Sequence, residues 1–287
     1  MAGMNKTNPL VSCIIPTKNR PFLVTRAIQS VLGQSYHNIE IIVIDDSTND
    51  ETQKALTSLG GQIRYIKNER SRGAPYSRNI GLNEARGDAV TFLDDDDLWL
   101  PKKIELQLEH IQRFPIVSCN YIRIIKGRKE YVRKPPVVSF ENMLYYNYLG
   151  SCSFLMFDAS AINECFFDEK LAAGQDWDIV LSVMRKKNIR EVGIVDSYLV
   201  EYDDGLHERI STTMGTGPAI LAIYEKYRTD HDDSTAKLFY LYNILPASDS
   251  FLFWFFRETI KTKLRNKNIG FIFMNVIKRL FGIIEVY

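Results

Sequence analysis

The chain has no uninterrupted apolar run near the roughly 20 residues that a membrane-crossing helix needs. Its opening, MAGMNKTNPL, lacks the long apolar segment of a secretory leader. A cytoplasmic, reducing location is therefore expected. Cysteine is scarce: Cys13, Cys119, Cys152 and Cys165 are scattered, and none forms a C-x-x-C pair, which argues against a zinc site. Three of them lie inside apolar runs and read as small buried hydrophobes. Charge excess is also missing. A formal net charge of +1 gives no positive field to meet phosphate backbones, so nucleic acid is not expected as a partner. No G-x-G-x-x-G follows the first apolar run, no G-x-x-x-x-G-K-[ST] exists, and neither does G-x-S-x-G. Those gaps disfavour a dinucleotide fold, a P-loop NTPase and a serine hydrolase.

What is present is ordinary globular material: 45% hydrophobic and 25% charged residues over 287 positions. LVSCIIP (10–16) and IEIIVIDD (39–46) are continuous apolar runs, as strands covered on both faces require. Between them, residues 21–33 place Phe22, Leu23, Ala27, Ile28, Val31 and Leu32 at helical spacing. A short helix at 50–59, a strand at 63–67, a helix at 75–86 and a strand at 88–93 continue the alternation. That order predicts an α/β fold with a mostly parallel sheet and crossover helices. Beyond Pro101 a helical pattern is followed by strand-like runs at 116–125 and 151–157, which flank a basic hairpin region. A helix at 176–187 and a strand near 190–202 come next. Residues 203–218 are polar and glycine-containing and read as a flexible loop, with helical patterns from 218 onward.

In a parallel sheet, ligands bind beyond the carboxyl ends of the strands. Three polar clusters fall at such ends: Pro16–Arg20, Asp45–Ser47, and the four aspartates of TFLDDDDLWLP. Four consecutive carboxylates span only about 14 Å of extended chain and repel one another unless something positive joins them. A solvated turn capping the next helix is the bland reading. The strand-end position between Leu93 and Trp99 favours a hard divalent cation, Mg²⁺ or Mn²⁺, held by one or two carboxylates and by substrate phosphates.

Three stretches carry a resemblance. VSCIIPTKNRPFLVTRAIQSVLGQSYHNIEIIVIDDSTNDET, RGAPYSRNIGLNEARGDAVTFLDDDDLWLP and FDEKLAAGQDWDIVLSVMRK occur in the order and spacing of the family 2 glycosyltransferases. The likeness covers about residues 10–202. It implies the GT-A fold and an inverting, metal-dependent hexosyl transfer from a nucleotide sugar, most often a UDP-sugar. By the same resemblance, Pro16, Thr17, Asn19, Arg20, Asp46 and Arg78 fall at nucleotide-binding positions, with Asp46 facing the uracil ring. Asp94 and Asp96 match the D-x-D pair, Asp96 touching the metal and Asp95 lying nearer the ribose. Asp97 either orients the others or caps the following helix. Asp176 matches the general base, against a plain helix N-cap; the family's usual Glu-Asp is Gln175-Asp176 here. Trp177 either stacks on an acceptor sugar or is buried.

The implied organisation is a catalytic domain over 1–218, with a nucleotide-sugar half at about 8–100 and an acceptor half at about 101–218. A helical extension follows over 219–287. His207 and Arg209, in the polar loop, are candidates for a lid over the diphosphate. The tail 251–287 carries seven Lys or Arg against two Glu, making it +5 and the rest of the chain −4. Its basic and polar positions Asn268, Asn275, Lys278, Arg279 and Gly282 share one helical stripe beside a wide apolar face. That pattern reads as an in-plane helix on the inner face of the cell membrane, or alternatively as a packing or homodimer helix. With the family, it points to a lipid-linked glycan acceptor in bacterial O-antigen, capsule or exopolysaccharide synthesis. A polyprenyl-phosphate sugar synthase and a non-catalytic nucleotide-sugar-binding module are the rival readings. A phosphatase using Asp45 lacks the second aspartate its chemistry needs.

Overall fold

The computed structural model describes residues 6–57, 59, 63–204, 216–239 and 243. Within them the expected alternation of strand and helix is realised. β1 (Val11–Thr17), α1 (Pro21–Leu32), β2 (Ile39–Asp45), α2 (Glu51–Thr57), β3 (Ile63–Lys67), α3 (Ala74–Glu84) and β4 (Ala89–Phe92) follow in order. β1 pairs in parallel with both β2 and β4, and β2 in parallel with β3. Three parallel strands must end on one rim, so Thr17, Asp45 and Phe92 deliver their following loops to the same side of the sheet.

The second half extends the sheet with mixed polarity. β5 (Leu98–Trp99), α4 (Lys103–Ile111), β6 (Ile116–Ile125), β7 (Arg128–Val132), β8 (Val137–Ser139) and α5 (Phe140–Tyr145) lead to β9 (Met156–Asp158), α6 (Ala159–Ile162), α7 (Gln175–Lys187) and β10 (Glu191–Asp203). The strand order is β3-β2-β1-β4-β9-β6-β10-β5, with β7 on β6 and β8 on β10. β9 is antiparallel to both β4 and β6 and joins the two halves. Two further helices, α8 (Thr216–Lys226) and α9 (Asp233–Phe239), follow. No helix among the described residues is long and apolar enough to cross a membrane. His207, Arg209 and the tail 251–287 lie outside the described residues.

Both sheet faces are covered, which is why β1 is buried at every position. Side chains alternate across a strand. Val11, Cys13 and Ile15 pack with Val24, Ala27 and Ile28 of α1 and Ile104 of α4, whereas Ile14 packs in the layer containing Val180 and Val183 of α7. All four cysteines are buried and unpaired. The run at 151–157 differs from its expected strand. Cys152–Phe154 form a 3-10 turn capped by the Ser151 hydroxyl, and only Met156–Asp158 pair as a strand. Short apolar runs bury equally well in either form, and here the serines hydrogen-bond locally instead of leaving the chain to a ladder.

α3 lies close on β1 because position 81 is glycine. A Cβ there would collide with Ile14 Cγ2. Gly81→Ala is therefore expected to destabilise the protein by about 1–3 kcal/mol through overpacking, read as a lowered Tm. A wild-type Tm would show that α3 can retreat from the sheet at no cost.

Candidate active site

A cavity of about 800 Å³ opens at the rim where β1, β2 and β4 end. Its wall includes Pro16, Thr17, Arg20, Asp46, Arg78, Asp94, Asp95, Asp96 and Asp176. Chain segments 160 positions apart thus meet in one cleft. Asn19 does not join the wall. Its backbone takes the left-handed conformation at φ 54°, and its N–H donates to Ser47 Oγ at 2.6 Å, closing the turn after β1.

The four aspartates have four different surroundings. Asp94 accepts from Arg78 Nη2 at 2.5 Å and from Ser151 Oγ at 3.2 Å. Asp95 accepts from Thr17 Oγ1 at 2.8 Å and from Arg20 Nη1 at 3.0 Å. Burial, reinforced by the Asp96 charge, lifts Asp95 to about 6 against the pull of Arg20 and Thr17. Asp96 accepts from the same Arg20 Nη1 at 3.2 Å. Asp97 is buried, accepting from Ser153 Oγ at 2.5 Å and from the Asp203 N–H at 3.2 Å. Burial and then the Asp96 and Asp94 charges push Asp97 well above the usual carboxylate range. It caps no helix: α4 begins at Lys103, and its N-cap Lys102 makes no side-chain cap. Ser153 Oγ also accepts from the Asp94 N–H at 3.1 Å, so one hydroxyl pins both ends of the tetrad. Sequence reasoning missed Ser153, since SCSFL resembles a strand and hydroxyl direction has no periodic signal.

Among the described residues, no three or more His, Cys, Asp or Glu side chains cluster to hold a metal ion. A Mg²⁺-type ion whose shell is completed by substrate phosphates takes only one or two protein carboxylates. Asp94 and Asp96 fit that set. Their side chains are 29% and 17% exposed on the cavity wall, and both already draw guanidinium charge.

Asp46, expected to face the uracil ring, lines the cavity and is also held by the loop after β3. It accepts from Asn68 Nδ2, Ser71 Oγ and the N–H groups of Arg72 and Gly73, all at 2.7–3.1 Å. Burial would raise its pKa, but these donors hold it below the ordinary value. Four donor residues of the 68–73 loop thus converge on one carboxylate. Asp46 therefore also fastens that loop to the cavity wall.

Asp176 lies in the first turn of α7. The N-cap is Gly174, at φ 71°, so the side chain of Asp176 does not cap the helix. The helix N-terminus favours its charge. Its Oδ1 accepts from the Trp177 N–H at 2.9 Å and its Oδ2 from Asn147 Nδ2 at 3.1 Å. Burial lifts Asp176 to about 6, with the Trp177 N–H, the Arg78 charge and Asn147 pulling the other way. Arg78 spans the cleft, donating to Asp94 and, at 2.9 Å, to Gln175 Oε1. The uncharged Gln175 thus keeps its contact with Arg78 without adding a carboxylate beside Asp176.

Trp177 is not available to an acceptor sugar. It is 4% exposed, donates from Nε1 to Met143 O at 2.6 Å and stacks on Phe239. Its position in the first turn of α7 turns the ring into the core. The aromatic part of the cavity wall is instead Tyr121, Phe154 and Tyr202, brought together by β6, the 3-10 turn and β10.

The comparisons agree with this architecture. Residues 12–166, just over half the chain, match the model of glycosyl transferase family 2. The putative colanic acid biosynthesis glycosyl transferase WcaA of Escherichia coli K12 is 35% identical over 190 residues, covering 62% of this chain and 67% of that protein. WfaP of Escherichia coli, named a UDP-Glc:alpha-D-GlcNAc-diphosphoundecaprenol beta-1,3-glucosyltransferase, is 32% identical over 197 residues, covering 66% and 76%. Among solved structures, Staphylococcus aureus TarS 1–349 in complex with UDP-GlcNAc superposes with a TM-score of 0.64 at 16% identity, covering 94% of this chain and 81% of that one. The mannosyltransferase PcManGT of Pyrobaculum calidifontis, in complex with GDP-Man and Mn²⁺, gives 0.59 at 15% identity, covering 98% and 87%. A mixed α/β sheet of the GT-A type with acidic side chains at its rim defines the class. The chain belongs to glycosyl transferase family 2.

Proposed function

We propose that the protein transfers a hexose, with inversion, from a UDP-sugar to a hydroxyl of a lipid-linked glycan in bacterial surface-polysaccharide synthesis. The observation that carries this reading is the shared cavity: the Asp94–Asp96 carboxylates and Asp176 line one cleft, with Arg78 between them. An acceptor hydroxyl is too weak an acid to attack unaided at pH 7. Asp176, in the cavity wall, would take its proton as the new C–O bond forms on the face of the anomeric carbon opposite the leaving diphosphate. Asp94 and Asp96 would hold the divalent ion, which supplies Lewis-acid neutralisation of the charge growing on the diphosphate. Pro16, Thr17 and Arg20 would border the nucleoside, with the Arg20 guanidinium, now shared by Asp95 and Asp96, offering charge to phosphate oxygens. Tyr121, Phe154 and Tyr202 offer apolar ring surface on the acceptor side. The names of WcaA and WfaP support the polysaccharide context and, for WfaP, the UDP-sugar and lipid-diphosphate chemistry. Residues 1–218 would form the catalytic unit, and the basic, aromatic tail would meet the lipid surface.

A donor screen tests the reading. UDP-Glc, UDP-Gal, UDP-GlcNAc, UDP-GalNAc and GDP-Man are each added with and without Mn²⁺ or Mg²⁺, and the rise in Tm is recorded. At 100 times Kd, one bound ligand adds about 2.7 kcal/mol of stability, so a shift of several degrees is expected for UDP-sugars and only with metal. Equal responses to all five without metal would contradict it.

A further inference from the structure

The segment 146–151 performs work that neither the sequence nor the comparisons assign. Asn147 Oδ1 accepts from the backbone N–H groups of Leu149 and Gly150, at 3.2 and 3.1 Å. Backbone N–H groups can only donate, so this fixes which end of the amide is oxygen. The NH₂ end is thereby forced the other way, where it donates to Gly150 O at 3.2 Å and to Asp176 Oδ2 at 3.1 Å. The loop is held from behind by a buried lysine. Lys134 Nζ donates to Leu149 O at 2.6 Å and to Ser118 Oγ at 3.0 Å. The Lys134 N–H donates to Asn120 Oδ1 at 2.8 Å, anchoring that lysine to β6.

We propose that Asn147 is a positioning residue for the base: its amide, aimed by the Leu149–Gly150 turn and braced by Lys134, orients the Asp176 carboxylate and keeps it ionised. This rests on the assignment of Asp176 as the base. An amide N–H gives its stronger bond to the charged carboxylate, so the contact favours the form that accepts a proton. With Oδ1 engaged by the Trp177 N–H and Oδ2 by Asn147, the carboxylate plane is set, and lone pairs remain for the acceptor hydroxyl. The charged and titratable groups that face Asp176 are Arg78 from α3, Asp94 from the end of β4, Lys134 from the segment after β7, and Cys152.

Two substitutions separate orienting the base from merely shaping a turn. Asn147→Asp keeps an oxygen acceptor for the Leu149 and Gly150 N–H groups, gives up the donor to Gly150 O, and places a second carboxylate against Asp176. Asn147→Ala removes both functions. With saturating UDP-sugar and Mn²⁺, Asn147→Ala is expected to lower kcat about tenfold, the worth of a lost hydrogen bond to a charged group, with donor KM within about twofold of wild type. Asn147→Asp is expected to lower kcat at pH 7 by about a hundredfold and to move the acidic limb of the pH–rate profile up by at least about one unit, because like charges cannot both ionise there. Wild-type kcat and an unmoved limb in Asn147→Asp would overturn the inference and leave Asn147 a turn residue. If Asn147→Asp melts far below wild type, Asn147→Ala decides: an unchanged kcat overturns the inference. Asp176→Asn is assayed alongside. Full activity in Asp176→Asn removes the base assignment itself, whereas an inactive Asp176→Asn with wild-type Asn147 variants removes only the present inference.

Discussion

Asp176→Asn is expected to lower kcat about a thousandfold, within the range that a positioned base contributes, while UDP affinity and Tm stay near wild type. The amide is isosteric and its oxygen can still accept from the Trp177 N–H, so α7 should begin as before, while its NH₂ group replaces the acceptor that Asn147 Nδ2 had and that one contact is lost. What it cannot do is accept a proton from the acceptor. The pH dependence follows from the same environment. Burial lifts Asp176 to about 6, above the ordinary aspartate value of about 3.9. The base works when ionised, so kcat/KM should be level above pH 7 and fall about tenfold per unit below 6. A raised pKa moves that limb upward; a profile level down to pH 5 would contradict the environment described here. An unchanged kcat in Asp176→Asn would remove the base altogether and favour an acceptor that is already an anion.

Asp96→Ala should cost at least as much, by another route. Without that carboxylate the divalent ion loses a protein ligand, and several kcal/mol of leaving-group stabilisation is lost, about a thousandfold or more in rate. Donor binding should also stop depending on metal. Arg20, which donates to both Asp95 and Asp96, would keep Asp95 as a partner, so the loop should hold its shape and Tm should change little. Isothermal titration of UDP with and without Mn²⁺ separates this outcome from unfolding. Metal-dependent binding as tight as wild type would place the ion elsewhere.

The first half of the fold was largely legible because its strands are apolar throughout and its polar clusters fall at their ends. Parallel pairing then leaves no choice about which side Thr17, Asp45 and Asp94 share. Asp176 was legible only through the resemblance; nothing in hydrophobic spacing brings α7 to that rim. Roles that depend on side-chain direction were not legible. Trp177 turned inward because it follows Asp176 in a helix that buries Ile179, Val180 and Val183. Asp46 faces its own loop because four donor residues between 68 and 73 converge on it, a convergence set by the loop's path and not by residue type. Asn147 and Ser153 were invisible for the same reason: each bridges segments far apart in the chain, through one amide or one hydroxyl.

In the proposed reaction, Asp96 serves metal and nucleotide and Asp176 serves the acceptor across one cavity. Titrating UDP into wild type, Asp96→Ala and Asp176→Asn, each with and without Mn²⁺, tests it most directly. The predicted result is metal-dependent binding in wild type and Asp176→Asn, lost in Asp96→Ala. Loss of that binding in Asp176→Asn, or its retention in Asp96→Ala, would contradict the account.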